Sequence, residues 1–260
     1  MAKQKINNKQ LKDKVAIVTG GGKGIGRSIA LGFAEEGANV VICGRHLSSL
    51  EQVRRETQGS AATIMPIQVN VTEESEVENM VKQTLERFGK VDILVNNAGI
   101  GGPLGLLIDF SKAQWDELIN INITGMFLCA RAVLKDMIKR RSGNIINLSS
   151  GAGFRWNKAG KPLPYRIGYS VSKFAIEGFT YALATQMKPY SICVNALRPG
   201  AMDTDIHKGS PPEWYIGMRK PDEVKPFAVF MALQTVDTMT GESVDLKEWL
   251  TGTRRRSPLR

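Results

Sequence analysis

Six short apolar runs, each followed by a longer stretch with helical or irregular character, constrain this chain more than any other feature. They are KVAIVT (14–19), NVVICG (39–44), ATIMPIQVN (62–70), VDILVNNAG (91–99), GNIINLSSGAG (143–153) and SICVNALRPG (191–200). Their cores are rich in Val and Ile and apolar on both faces. Such strands must be covered on both sides, as in a parallel sheet with helices above and below. Helical spacing falls between them, in GRSIALGFAEEGA, in SLEQVRRETQ, in EESEVENMVKQTLERFG with Val77, Val81 and Leu85 in step, from Trp115 to Lys139, and from Gly168 to Met187 ahead of Pro189. GESVDLKEW offers a seventh strand. Pro66 lacks an N–H, so the third run belongs at a bulge or an edge. Right-handed crossovers then predict an α/β, doubly wound parallel sheet of about seven strands with helices on both faces.

A chain of 260 residues with 42% hydrophobic and 23% charged residues suits one folded domain over 1–260, and neither a linker nor a repeat divides it. Residues 201–220 break the rhythm and are expected to form a substrate lid. No uninterrupted apolar run reaches the roughly 18–20 residues that cross a bilayer, and the polar opening MAKQKINNKQLKDK lacks a secretory apolar core, so no membrane association and a cytoplasmic location are expected. Cys43, Cys129 and Cys193 read as reduced core residues, and with only His46 and His207 beside them no metal site is expected. The net charge of +10 is concentrated in basic tails at both ends, and no base-reading motif accompanies it, so no specific nucleic acid is expected as a partner.

VAIVTGGGKGIGRSIA places Gly20, Gly22, Gly24 and Gly26, with Lys23 and Ile25, between the first strand and its helix. Glycines there let the backbone approach a pyrophosphate at a helix N-terminus, the arrangement of a Rossmann-like dinucleotide site. The second strand ends at Gly44 and Arg45 with no carboxylate for the ribose hydroxyls. Arg45 and Lys23 therefore favour a 2′-phosphate, and NADP(H) is the expected cofactor.

Four fragments then occur in order: TGGGKGIG (19–26), NNAG (96–99), Ser150 after an apolar strand, and YSVSK (169–173). Together they resemble the short-chain dehydrogenase/reductase family, in its compact, 3-oxoacyl reductase-like branch, from about Lys12 to Gly241. The resemblance implies that Asn97, Ala98 and Gly99 flank the riboses, that Asn70 and Val71 lie beside the adenine, and that Pro199, Gly200, Met202 and Thr204 cradle the nicotinamide. It also implies a catalytic set of Asn122, Ser150, Tyr169 and Lys173, with Asn122 holding a water and Lys173 on the nicotinamide ribose. A homo-oligomer, tetramer or dimer, is implied as well. The ending TGESVDLKEWLTG lacks the family's usual Asp-Gly-Gly, which weakens that last expectation.

The residues support the same chemistry. Tyr169 and Lys173 are four apart, one turn along a helix face. A phenol titrates near 10, and a nearby ammonium stabilises its phenolate. Tyr169 can then give a proton to a ketone or take one from a secondary alcohol. Successive strand residues face opposite ways, so only one of Ser149 and Ser150 should reach the carbonyl oxygen; the resemblance points to Ser150, since the family's serine directly precedes a residue pair and a glycine, as in SGAG. The expected activity is that of an NADPH-dependent carbonyl reductase or alcohol dehydrogenase acting on a small-molecule ketone or alcohol. The alternative is a non-catalytic NADP-binding sensor or scaffold. Phe154, Trp156 and Tyr165 in the long 151–168 connection either line the substrate pocket or pack the loop. Trp214 and Tyr215 either close over substrate or anchor the lid, where His207 is expected to be exposed.

Overall fold

The computed structural model describes residues 9–57, 62–153, 166–208 and 216–253. Phe154, Trp156, Tyr165, Trp214, Tyr215 and the outermost parts of the basic tails lie outside them. Seven strands form one parallel sheet: β1 (Val15–Thr19), β2 (Asn39–Gly44), β3 (Ile64–Gln68), β4 (Ile93–Asn96), β5 (Gly143–Leu148), β6 (Ile192–Arg198) and β7 (Ser243–Asp245). Their order is β3-β2-β1-β4-β5-β6-β7. The chain builds outward from β1 in one direction and from β4 in the other, so the crossovers part between β1 and β4. A crevice opens there at the carboxyl ends of the strands. Pro66 pairs with Ile42 on β3, which is the edge strand its missing N–H called for.

Each strand alternates between two cores. Ala16 and Val18 of β1 point into one, with Phe33 of α1 (Gly24–Glu35), Leu50 and Val53 of α2 (Leu47–Glu56) and Phe227 of the seventh helix. Ile17 points into the other, with Val77 and Met80 of α3 (Glu74–Phe88) and residues of the fifth and sixth helices. The period of 2 along the strand thus becomes a three-layer stack. On the first side, Trp249 of α8 (Leu246–Leu250) packs at 5.2 Å between ring centroids from Phe227 of α7 (Lys225–Ala232).

The helical stretch expected from Trp115 to Lys139 runs longer and is not uniform. Ser111 caps α4 (Lys112–Ile119), its Oγ accepting from the Gln114 N–H while the Gln114 side chain accepts from the Ser111 N–H. A π turn over Asn120–Thr124 then leads into α5 (Gly125–Arg140). By length and composition alone, Lys112–Arg140 would cross a bilayer. Here Leu128, Cys129, Val133 and Met137 pack it into the second core, beside Leu183 and Met187 of α6 (Ile167–Met187). The described part of the 201–220 region is tied to itself, with the Asp203 N–H on the Arg219 carbonyl and the Arg219 N–H on that of Ala201.

Candidate active site

A cleft of about 1110 Å³ lies along the carboxyl ends of the strands. At one end, β1 leaves the sheet through Gly20, whose φ of +64° is in the left-handed region that glycine adopts without strain. A Cβ on Gly26 would overlap the Gly20 carbonyl oxygen, so the first turn of α1 sits directly against the loop. No side chain caps α1, and its first turn carries no acid. Its first amides and the positive end of its dipole therefore offer an anion site. Thr19 organises this end: its Oγ1 accepts from the N–H groups of Asn97 and Ala98, each at 3.0 Å. The Asn97 side chain returns a donor to the Thr19 carbonyl at 2.8 Å. Gly20, Lys23, Gly24, Ile25 and Gly26 line the cleft, as do Asn97, Ala98 and Gly99.

Four of the residues expected at the cofactor do not line it. Gly22 packs toward Ser49 and Leu50. Arg45 is exposed just past β2, and its carbonyl accepts from the Gln68 side chain. Asn70 folds into a local turn, its Oδ1 accepting from the Thr72 N–H, and Val71 is buried against Gly125. The sheet nevertheless puts Arg45 and Asn70 beyond the same strand ends as the glycine loop. Across the cleft, Pro199, Gly200, Met202 and Thr204 form the opposite lip. Asp205, next to Thr204, accepts from Lys23 at 2.6 Å, and the side chains remain 41% and 71% exposed. Lys208 and Lys23 together hold the Asp205 carboxyl down at about 2.

At the other end, Ser149 and Ser150 leave β5, and α6 brings Tyr169 and Lys173 against them. The two serines part as strand alternation requires. Ser149 donates to the buried Glu177 carboxylate, whereas the Ser150 Oγ accepts from the Ala152 N–H and Ser150 lines the cleft with Tyr169. Burial pushes the phenol up from its ordinary value, and the Ser150 hydroxyl and the Arg166 charge pull it back. The Lys173 Nζ lies 5.4 Å from the Tyr169 ring centroid and donates to the Leu148 carbonyl at 2.7 Å. Burial lowers this ammonium to about 8, with the Glu177 charge opposing. Asn122 stands one layer behind the cleft. Its Oδ1 accepts from the Ile100 N–H, and its Nδ2 donates to the Ile100 carbonyl and the Ser172 hydroxyl. Its side chain thus joins the π turn to the loop after β4 and to α6, whose Ser172 in turn donates to the Tyr169 carbonyl.

Several participants escaped the sequence reading. Thr19 opens the TGGGKGIG fragment but was given no role of its own. Glu177 had a signal, since it continues the helical face of Tyr169 and Lys173 at the same four-residue step. Arg166 had a weaker one, three residues before Tyr169. His207, expected to be exposed, is half-buried on the cleft wall, where burial and the Arg166 charge lower its pKa. Among the described residues, no cluster of His, Cys, Asp and Glu could hold a metal ion.

The chain was compared with known proteins. A family profile described as short chain dehydrogenase matches residues 14–213. The 3-oxoacyl-[acyl-carrier-protein] reductase FabG of Thermotoga maritima is 32% identical over 248 residues, 91% of this chain and 97% of that protein. Among solved structures, a 3-ketoacyl-(acyl-carrier-protein) reductase from Brucella melitensis complexed with NADH superposes with a TM-score of 0.81 at 30% identity, covering 90% of this chain and 97% of the other. Levodione reductase superposes with a TM-score of 0.82 at 28% identity over 90% and 96% of the two chains.

Proposed function

This chain belongs to the short-chain dehydrogenase/reductase family, and from that premise we propose that it is an NADPH-dependent carbonyl reductase, or an alcohol dehydrogenase in the reverse direction. The observation that carries this reading is the Tyr169 phenol, with Ser150 and beside Lys173, in the same cleft as an uncapped helix N-terminus behind a glycine loop. The close approach at Gly26 and the left-handed Gly20 fit a pyrophosphate laid along that loop. When bound, the reduced nicotinamide supplies the hydride. This chain's residues do the rest. Ser150 donates to the substrate carbonyl oxygen, and Tyr169 gives that oxygen its phenolic proton as negative charge develops there. Lys173 replenishes charge balance beside the phenol and holds the nicotinamide ribose. Asn97, Ala98 and Gly99 border the ribose region, and Pro199, Gly200, Met202 and Thr204 cover the nicotinamide. Asn122 keeps α6 in register with the loop after β4.

NADPH is favoured over NADH because Arg45 is exposed past β2 and no carboxylate ends that strand. Lys23 is available too. An exposed ion pair such as Lys23–Asp205 is worth about 0–1 kcal/mol, so a phosphate can replace Asp205 at little cost. The substrate class is a ketone or secondary alcohol, with 3-oxoacyl thioesters the first to examine, given the named activity of the relatives. A cytoplasmic, homo-oligomeric protein completes the reading. The single domain contains both cofactor and catalytic residues, and the 201–220 segment covers the substrate.

The test is NADPH and NADH oxidation with a ketone panel, for the natural chain and Tyr169→Phe. Ketone-dependent oxidation faster with NADPH is expected, with kcat reduced about 100-fold or more in Tyr169→Phe while NADPH binding persists. Equal efficiency with NADH, or near-normal turnover without the phenol, overturns the corresponding part. No turnover at all favours a non-catalytic NADP-binding protein.

A further inference from the structure

The cation expected to tune Tyr169 was Lys173. In the folded chain a second one faces the same ring. Arg166 caps the N-terminus of α6, three residues before Tyr169, and Lys173 lies four after it. Both side chains reach the Tyr169 ring, so the phenol has two cations beside it. The Arg166 Cζ is 5.9 Å from the ring centroid, and the Lys173 Nζ is 5.4 Å from it.

Arg166 is only 4% exposed and lines the cleft. Its Nη2 donates to the Ile206 carbonyl at 3.0 Å. Its Nη1 lies so close to Gly101 that a Cβ there would overlap it, and the same Cβ would come within 3.0 Å of the Ile206 oxygen. The guanidinium is therefore seated between the loop after β4, the turn after β6 and the start of α6. The two cations differ in kind. An arginine keeps its charge at any working pH, whereas burial brings the Lys173 ammonium down to about 8.

We propose that Arg166 is a positioning residue for the acid/base: its guanidinium, seated by the Ile206 carbonyl and the absence of a side chain at Gly101, supplies the permanent positive charge that favours the Tyr169 phenolate. The electrostatics agree, since Arg166 pulls the phenol down against its burial, as does the Ser150 hydroxyl. Among the described residues, the other charged or titratable groups near the ring include Lys173, with Glu177 beyond it, and His207 with Asp203 on the turn that carries Ile206. Burial first and then the Arg166 charge lower the His207 pKa, while Asp203 raises it.

The proposal rests on Tyr169 being the proton donor of the reaction, and its test does not require turnover. The phenol is titrated by tyrosinate absorbance in the full chain. The Tyr169 signal is the difference between each protein and the same protein carrying Tyr169→Phe. In Arg166→Gln the midpoint is expected to rise by about 1 unit, with Arg166→Lys recovering part of it. An unchanged midpoint in Arg166→Gln overturns the proposal, as does a midpoint in Arg166→Lys equal to that of Arg166→Gln. Should neither variant fold, Gly101→Ala displaces the guanidinium and must raise the midpoint in the same direction; no change there also overturns it. A midpoint shift in a chain that reduces no ketone leaves this inference standing and rejects the proposed function. Ketone reduction with an unmoved midpoint does the reverse.

Discussion

Lys173 is buried with its Nζ on the Leu148 carbonyl, and the Glu177 carboxylate sits one helical turn further along the same face. The Glu177 Oε1 is itself held by the hydroxyls of Ser149 and Ser243. Burial raises this carboxyl, and the two hydroxyls, Arg198 and Lys173 bring it down. Burial lowers the lysine to about 8 and Glu177 raises it. Removing the negative charge must therefore lower the lysine further. Glu177→Gln keeps an oxygen acceptor for both serines but loses the charge. In that variant NADPH affinity is expected to begin its fall at a lower pH than in the natural chain, where the ammonium is lost around pH 8. Cofactor titrations across pH 6–10 read this directly, and coincident midpoints would count against the coupling. The residues with a motif, Tyr169, Lys173 and Ser150, were legible because their spacing places them on one helix face or one strand end. Arg166 was not, because the helix was expected to begin at Gly168. It begins at Ile167, which makes residue 166 the N-cap, and it is the Ile206 carbonyl and the space at Gly101, both distant in sequence, that seat its guanidinium against the Tyr169 ring.

Among the elements, α1 has two tasks. Its first turn meets the glycine loop, and Phe33, fully buried, anchors the helix between the sheet and α7. Truncating a buried phenylalanine removes its transfer energy and leaves a cavity. Phe33→Ala is expected to cost about 3–5 kcal/mol in denaturant unfolding, and a loss below 1 kcal/mol would show that the site collapses freely. Strand identity was legible throughout, since a Val/Ile run apolar on both faces fits few other places. The edge position of β3 is one of the two, bulge or edge, that Pro66 allowed. The π turn at Asn120–Thr124 was not legible. Its residues, NINIT, continue the helical spacing, and the widened turn meets partners distant in sequence: Asn122 is bonded to Ile100 and Ser172. Local propensity does not register contacts of that kind.

At the scale of the whole molecule, the strand order was legible only as a class. Right-handed crossovers permit a doubly wound sheet, and the parting of its two halves between β1 and β4 places the cleft. Phe127 of α5 and Tyr181 of α6 are 42% and 45% exposed, and Phe174 of α6, 51% exposed, lines the cleft. Exposed large apolar side chains can mark a contact surface, and the proposed oligomer would use those of α5 and α6 away from the cleft. Phe127→Glu with Tyr181→Glu is expected to yield a smaller particle by sedimentation than the natural chain. An identical sedimentation coefficient would exclude this face from the assembly.

Cys43, Cys129 and Cys193 are buried and unbridged, and burial raises all three thiols, Cys43 and Cys193 to about 12. The reactive form of a cysteine is its thiolate, so native molecules at neutral pH offer an alkylating reagent essentially nothing. Exposure of the two cores releases three equivalents at once. The folded chain thus contains its own reporter: iodoacetamide consumption tracks the opened fraction of the sheet, and its opening rate where the reagent outpaces reclosing.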